Sequence, residues 1–210
     1  SFKNLNVSAK LRILVGLAAL MLFFMASMAL FDLRQSVEQE RQMQLRSLLD
    51  TSISLVASLQ AKAVAGEISD SEAKQQARAL LASLHYADNE YFFVLNANAD
   101  VLVHGGDSAQ VGRNLKSVKS PDGQFVFAKM ASLLSTDLNA QTFSYLWPKA
   151  GGIEPQPKLS YAMAYKPWGW VIGTGVYTDD LNADFFRQSI QVGLQLLAAL
   201  AALILCAIPL

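Results

Sequence analysis

Few residues in this chain could do chemistry, and they are scattered. The two histidines, His85 and His104, are not spaced as a metal-ligand pair, and the single cysteine, Cys206, lies in an apolar run. The acids stand singly or near helix starts. Gly173-Thr-Gly175 falls inside a run that reads as a strand, so it opens no phosphate loop. No nucleophile is accompanied by a base and an acid. The expectation is a protein that is not an enzyme and needs neither metal nor cofactor.

A binding cup is the alternative. Tyr91 and Phe93 share one face of a strand, Tyr145 and Trp147 one face of another, and Tyr161 and Met163 one face of a third. For Phe93, Phe143 and Met163, plain sheet core is the simpler reading. Tyrosine and tryptophan differ, because each carries a polar hydrogen that needs a partner when buried. Lys158 brings a cation to this neighbourhood. By residue type alone it reads as a solvated lysine in a polar loop. Lys158 and Tyr161 have opposite parity in a regular strand, so Lys158 is expected just before the pleat begins, with Pro157 at the boundary. His104 ends a strand beside Gly105-Gly106, where a ligand or backbone can come close.

These residues need a sheet. Leu159 to Tyr165 and Gly169 to Val176 read as a hairpin, with Lys166-Pro167 and Gly169 at its turn. Tyr91 to Asn96 and Val101 to His104 are a second pair of strands, and Thr142 to Trp147 is a fifth strand. His85 to Glu90 reads as a loop, as does Pro148 to Pro157 with its three prolines. Leu33 to Val64 is a long helix with apolar residues at three- and four-residue spacing, and no Pro or Gly interrupts it before Gly66. Such a helix needs a partner along its length, its own domain or a second copy. Ser69-Asp-Ser-Glu72 starts a second helix. Ser120-Pro-Asp-Gly123 starts a third, whose apolar face holds Phe125, Val126, Met130, Leu133 and Leu134. The pattern predicts an α+β domain on an antiparallel, five-stranded sheet.

Half of the 210 residues are apolar, 52%, and the excess sits at the two ends. Ile13 to Phe31 and Ile190 to Leu210 are each long enough, at about 1.5 Å per residue, to span the roughly 30 Å of a bilayer core. The apolar h-region of a cleaved signal peptide would be shorter than the first run, and Asp32-Leu33-Arg34 is a poor small-residue cleavage site. Lys3, Lys10 and Arg12 precede the first run with no acid among them. The positive-inside rule then makes residues 1–12 cytoplasmic, 13–31 and 190–210 membrane helices, and 32–189 extracytoplasmic. That middle holds 14 basic and 17 acidic residues, net −3, with no basic stripe for nucleic acid.

Seven motifs in register carry a resemblance. Glu90-Tyr-Phe-Phe-Val-Leu-Asn96, Val103-His104, Gly112-Arg-Asn-Leu115, Asp122-Gly123, Tyr145-Leu-Trp-Pro-Lys149, Pro157-Lys-Leu-Ser-Tyr161 and Pro167-Trp-Gly-Trp-Val-Ile-Gly-Thr-Gly-Val-Tyr177 stand in the order seen in single Cache domains. These are PAS-like extracytoplasmic sensors of bacterial chemoreceptors and sensor kinases. The resemblance covers about Asp32 to Asp184. The long helix of Leu33 to Val64 points to a homodimer. The resemblance implies a receptor in the inner membrane that senses a small organic carboxylate in the periplasm, most simply a methyl-accepting chemotaxis receptor, with output beyond Leu210. It also moves Lys158 from the solvated reading to ligand contact, with Tyr161, and turns His104 toward the ligand. This chain departs from the family in having His85 where Arg is usual, and Gly105 where Pro follows the histidine. Three other readings stand beside it: the same sensor module on a histidine kinase or a cyclic-dinucleotide enzyme, a ligand-free dimerisation module, and an amine-binding module with a tyrosine cage.

Overall fold

A single helix, α1, runs from Val7 to Val64 in the computed structural model, which describes residues 7–87, 89–179, 186, 187, 189–195, 197, 198 and 201. Gly66 ends it. At φ +76° it lets Gly66 N–H reach Ala63 O and Glu67 N–H reach Lys62 O, the paired bonds of a Schellman stop. The chain divides into two units, residues 40–179 and residues 1–39 with 180–210. In the second unit, the described side chains from Ile13 to Phe31 are largely exposed, as Leu20, Met21, Phe23 and Phe24 show. Among the described residues, α1 is long and apolar enough to cross a membrane. The run expected as a second membrane helix, 190–210, falls largely outside the described residues.

The unit of residues 40–179 is built on a sheet of six strands: β1 (His85–Tyr86), β2 (Glu90–Asn96), β3 (Val101–His104), β4 (Ala140–Pro148), β5 (Pro155–Tyr165) and β6 (Trp170–Tyr177). The order is β1-β2-β6-β5-β4, all antiparallel, and β3 also pairs with β2. His85-Tyr86 is thus not wholly loop: it adds a two-residue sixth strand opposite Glu90 and Tyr91. The β4–β5 hairpin is also longer than expected. Its pairs run from Ala140↔Met163 to Pro148↔Pro155, which leaves only residues 149–154 as loop. Pro155 and Pro157 fit there because β5 does not begin pairing with β6 until Lys158, so their missing N–H groups break no central ladder.

One face of the sheet is covered by α1 and by α2 (Asp70–Ser83). Ser69 Oγ caps α2 by accepting from Glu72 N–H at 3.1 Å. Leu49, Val56 and Leu81 from these helices pack on Phe92, Val94 and Ile172. The other face is covered by α3 (Val126–Ala131), a 3-10 turn at Ser132–Leu134 and the segment after β3. The third helix is shorter than expected. Ser120 to Gly123 forms a hydrogen-bonded turn, with Gly123 at φ +83°, before α3 begins. Phe125 therefore lies outside the helix, half exposed, and Phe127 takes its place in the core.

Candidate functional site

Register decides which side chains meet. On β5, Lys158 is the Cα partner of Tyr145 on β4 and of Tyr177 on β6. Those pairs place Lys158 on the α3 face, inside the pleat rather than before it. Lys158 is 3% exposed, so the solvated-loop reading fails. Its Nζ donates to Tyr91 Oη at 2.9 Å and to Tyr177 Oη at 3.4 Å. It also lies 4.3 Å from the Tyr91 ring centroid and 4.6 Å from that of Tyr177. Burial lowers its pKa from 10.5 to about 8, against the nearby Glu90 carboxylate, which raises it. Burial likewise raises the Glu90 pKa, and Glu90 Oε1 accepts from Tyr177 N–H at 3.0 Å.

His104 reaches the same face through a bulge. Phe93 pairs with His104 and Leu95 with Val101, so Leu102 is the extra residue. The ring lies against Tyr91 with centroids 4.5 Å apart and planes tilted by 38°. Its Nδ1 accepts from Asp107 N–H at 2.9 Å, which leaves the hydrogen on Nε2. Burial, with the charge of Lys158, lowers the His104 pKa to about 4, so the ring is neutral at pH 7. Behind Tyr91, a Cβ on Gly106 would meet Tyr91 Cδ1 at 2.5 Å. Gly105 donates its N–H to Phe92 O at 2.9 Å, a bond that the proline usual in the resembling family could not make. His85 is exposed, with its ring nitrogens 3.1 Å from Ser83 O and Gly105 O. It braces the glycine turn and does not line the pocket.

Together these residues wall a small cavity of about 20 Å³. Lys158, Tyr91 and His104 form its polar side, and Leu95, Val101, Leu115 and Phe127 its apolar side. Phe93, Tyr145, Trp147 and Gln110 complete it. Tyr145 is buried and shares a 3.0 Å hydrogen bond with Ser160. Trp147 meets Phe127 edge-on at 4.8 Å. The far end of the Phe93 ring lies over Gly173, where a Cβ would come within 2.5 Å of its Cε2. That close approach explains the glycine within β6.

Six of the eight residues singled out from sequence are thus brought together: Lys158, His104, Tyr145, Trp147, Tyr91 and Phe93. Tyr161 and Met163 are not. They share a face, as expected, but it is the face packed against α1 and α2. The cause is β5 parity, since Tyr161 is three positions from Lys158. Sequence reasoning missed Gln110 and the apolar wall, and also Tyr177, which meets Lys158 from outside the cavity lining. The signal for Tyr177 was its place at the end of β6, opposite Lys158.

A buried ammonium, a phenol hydroxyl and an imidazole N–H beside an apolar wall can hold one small anion with an apolar tail. Among the described residues no group of three or more His, Cys, Asp or Glu could hold a metal ion.

The model of the family described as single Cache domain 2 matches residues 37–191. This chain belongs to that family. The match takes in the whole sheet, α2, α3 and every residue of the cavity. The single Cache chain is 30% identical over 210 residues to the methyl-accepting chemotaxis protein McpP of Pseudomonas putida, covering 98% of this chain and 38% of that protein. It is 31% identical over 149 residues to the sensor histidine kinase MctS of Rhizobium johnstonii, covering 71% of this chain and 31% of that one. The chain thus spans about a third of the length of these relatives. Among solved structures, it resembles a periplasmic sensor domain of a chemotaxis protein at 35% identity and TM-score 0.64, covering 67% of this chain and 97% of that one. It resembles equally a Cache chemosensory domain described for carboxylic acid recognition, at 30% identity and TM-score 0.65, covering 69% and 98%. The α+β, PAS-like Cache fold and the ligand-sensing class of the domain follow from these matches.

Proposed function

We propose that this single Cache domain senses a short organic carboxylate, as part of a transmembrane chemotaxis receptor. One observation carries the reading. Lys158 is a buried cation, and among the described residues it forms no ion pair with a carboxylate; its close partners are two tyrosine hydroxyls. Glu90, whose charge acts on it, stands beyond ion-pair distance and accepts from Tyr177 N–H, so Lys158 lacks a direct counter-ion, which is costly for a buried charge. A ligand carboxylate supplies that counter-ion, with Tyr91 and His104 donating to its oxygens. The cavity of about 20 Å³ admits one or two waters as it stands. So small a volume limits the ligand to a short acid, two to four carbons at most, for which the pocket has to widen, placed with its tail against Leu95, Val101, Leu115 and Phe127. The apolar wall offers no second cation, so acetate and propionate are favoured over succinate. The likeness to a domain described for carboxylic acid recognition supports the same class.

The test is a thermal shift of the purified chain with acetate at two pH values. A ligand at a hundred times its dissociation constant stabilises by about 2.7 kcal/mol. Acetate is expected to raise the melting temperature at pH 7. Binding needs the protonated Lys158, whose pKa is about 8. Affinity should therefore hold below pH 8 and fall by up to about tenfold per unit above it. An acetate affinity unchanged from pH 7 to pH 9.5 would exclude the lysine as the anchor.

The membrane arrangement belongs to the same proposal: residues 1–12 cytoplasmic, 13–31 and 190–210 spanning the inner membrane, 32–189 periplasmic, and two copies paired along α1. Lys3, Lys10 and Arg12 before the first span support the orientation. Alkaline phosphatase fused after Asp88 is expected to be active. A stable but inactive fusion would reverse the topology.

A further inference from the structure

We propose that Tyr177 couples the charge state of the Lys158 pocket to the segment that leaves the sheet after β6. This rests on the pocket described above but not on which anion enters it. Tyr177 is the last residue of β6, and it touches every charged part of the pocket. Its hydroxyl lies 3.4 Å from Lys158 Nζ and its ring 4.6 Å from the same atom. The hydroxyl donates to Pro148 O, at the end of β4, at 2.6 Å. Its N–H donates to Glu90 Oε1, at the start of β2. One residue thus ties β4 and β5, through its side chain, and β2, through its backbone N–H, to the end of β6.

The residues that follow are held by the same strands. Thr178 N–H donates to Pro157 O at 2.9 Å, next to Lys158. Asp179 pairs with Lys149 at 2.8 Å, next to Pro148, and the Lys149 ammonium lies 5.4 Å from the Tyr177 ring. When an anion takes the Lys158 ammonium, Nζ turns its donors from the tyrosines to the anion. Tyr177 then loses a cation at both its hydroxyl and its ring, and Glu90 loses part of its counter-charge. Its hold on Tyr177 N–H changes as a result. Each of these contacts borders the exit at Thr178-Asp179. An element whose contacts differ between the empty and the filled pocket is the physical requirement for transmitting occupancy.

The test needs no ligand. Lys158→Met removes the charge and keeps the length, and Tyr177→Phe removes the hydroxyl and keeps the ring. Backbone amide exchange of Tyr177 and Thr178 is measured in the whole 210-residue chain in lipid nanodiscs, for the parent, both single variants and the double variant. Exchange at Val171 and Ile172, in the same strand, reports any general loss of stability. Relative to those amides, Lys158→Met should change exchange at Tyr177 and Thr178 at least threefold when Tyr177 is present. It should change it by no more than about half as much in the Tyr177→Phe background, where the ring contact and the Glu90 bond remain but the hydroxyl is gone. Equal changes in both backgrounds, or none in either, overturn the coupling. If Lys158→Met fails to fold, Lys158→Gln takes its place in the same cycle. Calorimetry with acetate on Tyr177→Phe separates this from ligand contact. The coupling role predicts an affinity within about threefold of the parent, and a loss as large as that of Lys158→Met would instead make Tyr177 part of the binding site. Failure of acetate to bind the parent would reject the carboxylate reading and leave the cycle standing.

Discussion

Lys158→Met abolishes acetate binding at millimolar concentrations and leaves the fold intact or slightly more stable. The binding loss follows from removing the cation of a desolvated charge pair, which costs about 2–5 kcal/mol, or roughly thirtyfold to several thousandfold in affinity. The stability gain has a separate cause. Burial holds Lys158 at a pKa of about 8, below its ordinary 10.5, so the folded chain pays to keep the charge inside. Replacing it with an apolar chain of similar length relieves a penalty on the order of 1–3 kcal/mol. Linkage gives the same sign. Between pH 8 and 10.5 the unfolded chain holds a proton that the folded chain has released, so the lysine's contribution to stability rises with pH there while binding falls. Calorimetry and thermal melting of the same variant check both halves. A variant that binds acetate like the parent removes Lys158 from the site. One that melts far below the parent makes the lysine structural.

Gly175→Ala lowers the melting temperature by about 5–10 °C. A Cβ at Gly175 would stand 2.7 Å from Leu159 O and 3.0 Å from Ser160 Cα, and closer still to Ser160 Oγ. Two of these atoms belong to the backbone of β5, which cannot retreat without opening the β5–β6 ladder around Ser160↔Gly175. Overpacking of this kind costs typically 1–3 kcal/mol and here belongs at the upper end. At about 2–4 °C per kcal/mol for a unit of this size, that gives the stated shift. Thermal melting followed by circular dichroism checks it, and a melting temperature within 1 °C of the parent would mean that the two strands are looser than the structure shows.

How much was legible in the sequence divides along one line. Local signals were reliable. The uninterrupted apolar spacing of Leu33 to Val64 belongs to α1, and Gly66 stops it. The Lys166-Pro167 and Gly169 turn closes the β5–β6 hairpin, with Gly169 at φ +63°. Strand parity correctly grouped Tyr91 with Phe93 and Tyr145 with Trp147. What parity within one strand does not contain is the register between strands. Tyr161 and Met163 were grouped with each other but lie on the far face, because Lys158, not Tyr161, pairs with Tyr145. The same long β4–β5 pairing carried Lys158 into the pleat, past a proline-rich stretch that reads as loop. His104 needed the bulge at Leu102 to reach the pocket, and nothing in Val-Leu-Val-His announces a bulge. Tyr177 was visible only as the end of a strand, because its contacts to Lys158, Pro148 and Glu90 are all long-range. Tertiary partners decide such positions, and the sequence holds them only jointly.

The central claim is that the pocket selects a small anion through a buried lysine. The most direct measurement is calorimetric titration of the purified chain at pH 7 with acetate and, separately, with ethylammonium, its size-matched cation. The account predicts saturable 1:1 heat with acetate and none with ethylammonium, since the ammonium would meet Lys158 of like charge. Saturable binding of ethylammonium with no heat from acetate would contradict it, and would make the tyrosines around Lys158 an amine cage.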